Sequence, residues 1–341
     1  MSHPLSERFQ MFAESECRGS SPLYYALSHA LASDDSLLEI AEQSRSGQPV
    51  PNLFFASVHY LLSFGISDPL CALYATCTET PTNPSQAYPV FRDFVLRHRE
   101  EVISLLQSRL VQTNEVRRCA YLFPALLFAA SLYDSKPLAL IEIGTSAGLN
   151  LLWDRYRYSY GGSAIYGDSP SPVLVTSSFR GTTPSILTEP LPAISHRIGL
   201  DLNIVDTTIS DQTKWLRALI WPEHHERRKL LDAALKLRAE IKLDLRVGDG
   251  FSLYSEVAEE IPGESLLCVY HTHVANQIAK VAKGAFLRSV EELGKRRDVI
   301  HVFNNIHPDL HLTVYKNGES YDVPLANTDG HARWIEWLQK S

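Results

Sequence analysis

The run Glu142-x-Gly144-x-Ser146-x-Gly148, inside LIEIGTSAGLN at Leu140 to Asn150, has the residue types and spacing of a ligand-binding turn. A carboxylate followed by small residues at alternate positions suits the junction of a strand and a helix in an α/β unit. Gly144 would permit a tight turn and close approach of a ligand, and Gly148 would let the next helix pack near the strand. Glu142 could accept a hydrogen bond from a ligand ammonium and would repel a pyrophosphate, which weighs toward S-adenosylmethionine over NAD. Ser146 replaces the usual middle glycine and is small enough for close approach. Two further acids stand at expected strand ends. Asp201, in GLD, could hold both ribose hydroxyls. Asp249, in VGDGF, could accept from an adenine amino group while Phe251 covers the ring. Either acid alone also reads as a turn or cap residue. Three acids at the C-terminal ends of strands point to the edge where open α/β sheets bind ligands.

Other polar side chains could act on a substrate. Gln112-Thr113-Asn114-Glu115 lies about 30 residues before the glycine turn. Gln112 and Asn114 are candidate substrate binders and Glu115 a candidate general base, while Thr113 or Asn114 could instead cap a helix. Val116 to Leu132 reads as one apolar helix, roughly 25 Å long. Run antiparallel to the following strand, it would bring its N-terminus to the ligand edge. His271 and His273 follow a fully apolar strand, and His271 is the candidate base because imidazole titrates near neutrality. Asn304 and Asn305 hold the corresponding place after the next strand, with Asn304 a candidate substrate binder. HTH, HPDLH and His224-His225 offer imidazoles, yet neither an HExxH pattern nor a cysteine pair accompanies them, so no metal is expected. Gly144 to Gly148 also matches the GxSxG nucleophile elbow, with Ser146 as nucleophile, Asp249 or Asp298 as acid and His307 or His331 as base. The acids on successive strands fit a nucleoside site better.

These residues need elements to hold them. Residues 1–135 read as helical, with apolar positions at helical spacing through Leu23–Leu31, Leu53–Leu62, Phe91–Leu110 and Val116–Leu132. Ser36, with Glu39 three residues on, is the expected capping box of a short helix. This region would form a lid over the site. At Pro137 the texture changes: LALIEIG reads as a buried parallel strand and Ser146–Tyr158 as a helix. Residues of about 159–195 form an expected insertion of loops and short strands. Strands are then expected at His196–Leu202, Ile241–Asp249, Leu266–His271 and Val299–Asn304, and helices at Pro222–Ala239 and Ala275–Leu293. A hairpin should turn at Asn317-Gly318. The fold expected for 136–341 is α/β: a mostly parallel, Rossmann-like sheet of the class I methyltransferase kind, with a terminal antiparallel hairpin.

Composition sets outer bounds. A formal charge of −7 over 341 residues argues against binding nucleic acid mainly through its phosphates. Five cysteines without CxxC spacing read as reduced thiols, and Ser2–Glu14 lacks the apolar run of a secretory signal, so a cytoplasmic protein is expected. The longest apolar run, Ala120–Ala130, is too short to span a bilayer.

Several segments together resemble a known family. VQTNEVRRC, LIEIGTSAGLNLLWDRYRY, GLDLNIVD, WLRALIWPEHHERR and HARWIEWL are similar to an uncharacterised bacterial family, catalogued as a domain of unknown function and grouped with methyltransferase-like folds. The resemblance implies a class I-like fold and assigns no reaction. The expected function is an S-adenosylmethionine-dependent methyltransferase acting on a small or medium polar molecule. A methyltransferase-like protein that binds a nucleoside without turnover and a serine hydrolase using Ser146 are the alternatives.

Overall fold

The computed structural model describes residues 3–133 and 136–339. They divide into two compact units, 1–113 with 209–229 and 114–208 with 230–341.

The first unit is helical. It comprises α1 (Ser6–Phe12), α2 (Pro22–Leu31), α3 (Asp35–Ala41), α4 (Val50–Leu62), α5 (Ala87–Arg97) and α6 (Arg99–Ser108). Its centre is α4, where Leu53, Phe54, Phe55 and Val58 are fully buried. The run read as one helix over Phe91–Leu110 is broken at His98, whose backbone leaves helical geometry (φ −109°, ψ 30°). The cap of α3 is Asp34, which accepts from Leu37 N at 3.3 Å; the box expected at Ser36 lies inside the helix.

The second unit begins with α7 (Cys119–Ser131), entered through a 3-10 turn at Val116–Arg118. Then come β1 (Leu138–Ile143), β2 (Arg157–Ser159), β3 (Tyr166–Gly167), β4 (Leu174–Thr176) and β5 (Ile194–Asp201). Helix α8 (Ser210–Ala218) belongs to the first unit, and α9 (His225–Ala239) follows it. The chain continues with β6 (Asp244–Val247), α10 (Gly250–Glu260), β7 (Leu266–His271), α11 (Lys280–Gly294), β8 (Val299–Phe303), β9 (Leu310–Lys316), β10 (Glu319–Thr328) and β11 (Ile335–Trp337).

Eight strands form one sheet in the order β11-β10-β9-β8-β7-β1-β5-β6. The five from β8 to β6 are parallel, and β9, β10 and β11 extend the sheet antiparallel to their neighbours. The unit is thus α/β with a large, mostly parallel sheet. All six β1 residues are buried, as a strand covered on both faces requires. Ala139, Ile141 and Ile143 pack with α10 and α11. By strand alternation, Leu138, Leu140 and Glu142 face the other way. Successive strands are added on one side of β1 as β5 and β6, and on the other as β7 and β8. The strand order therefore reverses between β1 and β7, the kind of place where ligands bind outside the C-terminal ends of strands.

The helix expected over Ser146–Tyr158 is instead a 3-10 stretch at Asn150–Arg155 followed by β2. Leu151 O accepts from Arg197 Nη1 at 2.5 Å, so that carbonyl is diverted to a side chain. Arg197 also pairs with Asp154 through two bonds of 2.6 and 2.7 Å. Residues 157–176 contribute a second sheet, β3-β2-β4. The helix expected from Ala275 is a 3-10 turn at Ala275–Gln277 and then α11, and the one expected from Pro222 starts at His225.

Candidate functional site

Strand β1 delivers Glu142 to the C-terminal edge of the sheet, and the chain then turns sharply. Gly144 has φ +78°, and a Cβ there would lie 2.0 Å from Val274 Cγ2. Both the left-handed backbone and the close approach of the segment after β7 require glycine. Ser146 is also left-handed, with φ 51°, a conformation that costs a non-glycine residue on the order of 1–2 kcal/mol. Two side chains hold it there. Ser146 N donates to Asp201 Oδ2 at 2.8 Å, and Ser146 Oγ accepts from Asn114 Nδ2 at 2.9 Å. Ala147 N donates to Asn114 Oδ1 at 3.2 Å, so one amide side chain clasps two successive turn residues. Gly144 N and Thr145 N donate to Leu200 O, and Gly148 N donates to Thr145 O. Every backbone N–H from Gly144 to Gly148 is thereby engaged by the protein.

Glu142 is 2% exposed and accepts from Thr145 Oγ1 at 2.6 Å. Burial pushes its carboxyl up to about 8, against the pull of hydrogen bonds from Thr145 and Asn150. Near neutrality it is held largely protonated, and a cation brought close would ionise it. Asp201 ends β5, the neighbour of β1, and its Oδ1 accepts from Asn203 N at 2.9 Å. Burial raises its carboxyl above the usual range, opposed by the amides of Asn203, Ser146 and Leu202. Asp249 is exposed and caps α10, accepting from Phe251 N at 3.1 Å and Ser252 Oγ at 2.8 Å. Two apolar residues not singled out in the sequence stand at the same edge. Leu202, directly after Asp201, is 74% exposed, and Val247, at the end of β6, is 71% exposed. Their signal in the sequence was an apolar residue adjoining each strand-end acid segment.

The histidines after β7 depart from expectation. His271 pairs in register with Ile143 and Phe303, so it lies on the face covered by α10 and α11, away from Glu142. Its ring is fully buried among Phe251, Phe286, His301 and Phe303, with centroids 5.4–5.8 Å away. Neither ring nitrogen has a hydrogen-bond partner, and burial lowers its pKa to about 3. The near-neutral titration expected of it is therefore corrected: desolvation holds this imidazole neutral. Burial likewise lowers His273 to about 3. Asn304 is spent on structure, since Oδ1 accepts from His273 N at 2.7 Å and Nδ2 donates to Tyr121 OH at 3.3 Å. Phe251 is half-buried, its ring packed edge-on against Phe286 at 4.8 Å.

Glu115 does two things at once. Its Oε1 accepts from Arg117 N at 3.3 Å, capping the 3-10 turn, so the cap is Glu115 rather than Thr113 or Asn114. Its Oε2 accepts from His331 Nδ1 at 2.7 Å. Gln112 belongs to the first unit.

The side chains named for a serine hydrolase do not assemble on Ser146. Asp249 caps α10, and Asp298 precedes β8 at the opposite edge of the sheet, paired with Lys136 at 3.0 Å. His307 packs at a tilt against His311, with centroids 4.4 Å apart, and His331 is bound to Glu115. Among the described residues, no group of three or more His, Cys, Asp or Glu is placed to hold a metal ion, and no helix is long and apolar enough to cross a membrane.

A family model described as "Uncharacterized protein conserved in bacteria (DUF2332)" matches residues 6–337. Comparison with curated proteins and with solved structures gives no match. Because the family match runs from Ser6 to Trp337, nearly the whole chain, the protein belongs to this bacterial family.

Proposed function

We propose that the edge of the sheet around Gly144 binds S-adenosylmethionine, in a Rossmann-like unit of the class I methyltransferase kind, and that the protein transfers its methyl group to a small or medium polar molecule. The observation that carries this reading is the grouping of Glu142, the Gly144–Gly148 turn and Asp201 where the strand order reverses, with Asp201 bonded to the turn itself. The side chains present fit the cofactor. Glu142 can meet an ammonium by giving up its proton. Asp201 ends β5 beside the turn, where its carboxylate would accept from a ribose hydroxyl. Leu202 and Val247 offer apolar surface to a planar base. The engaged amides of the turn leave no N–H cradle for a pyrophosphate, which disfavours a dinucleotide. When bound, the cofactor would supply an electrophilic methyl group, and the chain's part is chiefly to hold the acceptor in line with it.

Adenosylhomocysteine should raise the melting temperature and NAD should not. A ligand at about 100 times its dissociation constant, bound only to the native state, stabilises by about 2.7 kcal/mol. No shift at millimolar adenosylhomocysteine, with calorimetry also silent, would remove this reading. Binding without turnover across a broad acceptor screen would instead favour a nucleoside-binding protein.

One observation favours the hydrolase as a second reading: Ser146 has the left-handed backbone that suits a nucleophile elbow. The hydroxyl's partner, however, is the Asn114 amide, and no described histidine bonds to it. Labelling by a fluorophosphonate, lost in Ser146→Ala, would support that reading.

A further inference from the structure

We propose that His331 is the proton-accepting residue of this site and that Glu115 is its positioning residue, so that the methyl acceptor is a molecule bearing an acidic O–H or N–H. This inference rests on the cofactor reading above. Glu115 is 3% exposed, and a carboxylate so enclosed needs a partner of opposite or potential charge. Its Oε2 takes the Nδ1 hydrogen of His331 at 2.7 Å. That bond fixes the tautomer with the proton on Nδ1 and leaves Nε2 with its lone pair outward. The His331 side chain is 44% exposed, and no described group bonds to Nε2. A buried carboxylate behind a half-exposed imidazole is the pairing that lets histidine take a proton and hold the resulting charge.

The dyad sits at the cofactor edge on two independent connections. On one side, Glu115 follows Asn114, whose amide clasps Ser146 and Ala147. On the other, a Cβ built on Gly330 would lie 3.6 Å from Cε1 of His273, in the segment after β7. His331 is therefore carried between the turn after β1 and the segment after β7. The loop presenting it is pinned. Arg118 Nε donates to Gly330 O at 3.4 Å, Ser177 Oγ donates to Ala332 O at 2.7 Å, and Ala332 N donates to Asp329 O at 3.0 Å. Ala332 is fully buried in the left-handed region, at φ 53°. Non-glycine residues held this way are concentrated at functional sites, where the surroundings over-determine them. When the acceptor is methylated, its proton would pass to His331 Nε2, and the resulting imidazolium would be held beside the Glu115 carboxylate.

The full chain labelled with nitrogen-15 in its histidines provides the test. Long-range proton–nitrogen spectra should show neutral His331 as the Nδ1–H tautomer. Glu115→Ala should shift it to the Nε2–H form, and Glu115→Gln, whose amide oxygen can still accept, should keep it. Saturating adenosylhomocysteine should slow carbethoxylation of His331 by diethyl pyrocarbonate several-fold, with His29 of the helical unit as the unaffected reference. An Nε2–H tautomer in the wild type, a tautomer indifferent to Glu115→Ala, or unslowed modification with ligand bound would each overturn the proposal. If Glu115→Ala does not fold, the wild-type spectrum and the ligand protection decide alone. Failure of adenosylhomocysteine to bind overturns the cofactor reading, and the tautomer separates that failure from failure of the dyad.

Discussion

Burial makes the charge of Glu142 depend on what stands opposite it. Its carboxyl is raised from 4.5 to about 8 by desolvation. For a carboxyl raised on folding, the contribution to stability is fully present below the unfolded value and is lost as pH rises through the folded one. Wild-type stability should therefore fall by a few kcal/mol between about pH 4.5 and pH 9 from this group, because each pH unit separating the folded and unfolded values is worth about 1.4 kcal/mol. Glu142→Gln should remove that slope, as measured by urea unfolding across the range; parallel curves for the two proteins would place the carboxyl in a solvated setting. Asp201 holds the turn, its carboxylate accepting from Ser146 N, a role the sequence offered only as the alternative to ligand binding. Asp201→Ala should lose about 1.5–3 kcal/mol of adenosylhomocysteine affinity, the scale of charged hydrogen bonds. It should also lower the stability of the ligand-free protein, since the Ser146 and Asn203 amides lose their acceptor. Calorimetry and unfolding of the one variant give both quantities, and unchanged affinity in a folded variant would restrict Asp201 to holding the turn. Residue types at strand ends were legible in the sequence. Side-chain partners were not: nothing in the local sequence tells that Asn114 reaches Ser146 or that Glu115 reaches His331, 216 positions away.

At the scale of elements, the glycine turn works by bringing β1, β5 and β6 close together. Gly148 has φ +77°, and a Cβ there would fall 2.6 Å from Leu243 Cδ1 and 3.2 Å from Leu245 Cδ2. Gly148→Ala combines left-handed strain with overpacking and should cost about 1–3 kcal/mol. A melting temperature equal to wild type would show that the Leu243 and Leu245 side chains yield freely. The strands were the most legible elements, since continuous apolar runs such as LLCVYH have a single reading in a sheet covered on both faces. The segment after Gly148 was misread because its apolar spacing suits a helix, while the pairing of Arg197 with Asp154 and Leu151 O comes from β5, distant in sequence. His271 was misplaced for a related reason. The sequence located it at a strand end, but only the register with Ile143 shows which face it takes.

Over the whole molecule, each unit holds its own apolar cluster, one around Phe54 and Phe55 and the other around Ile141 and Val269. The sequence shows a change from helical to α/β pattern near Pro137, but the second unit begins earlier, at Asn114, and includes α7. The membership of α8 in the first unit was not legible, because it rests on packing such as that of Trp215 with the helical cluster, whose indole donates to Leu110 O at 2.8 Å. What ties the second unit to a function is the edge where β1, β5 and β7 end. The most direct measurement is a crystal structure of the chain grown with adenosylhomocysteine. Density for the ligand should lie against Gly144–Gly148, with its amino group at Glu142 and its ribose at Asp201. Ligand seated elsewhere, or clear density at this edge for a different compound that excludes adenosylhomocysteine, would contradict the proposed cofactor site.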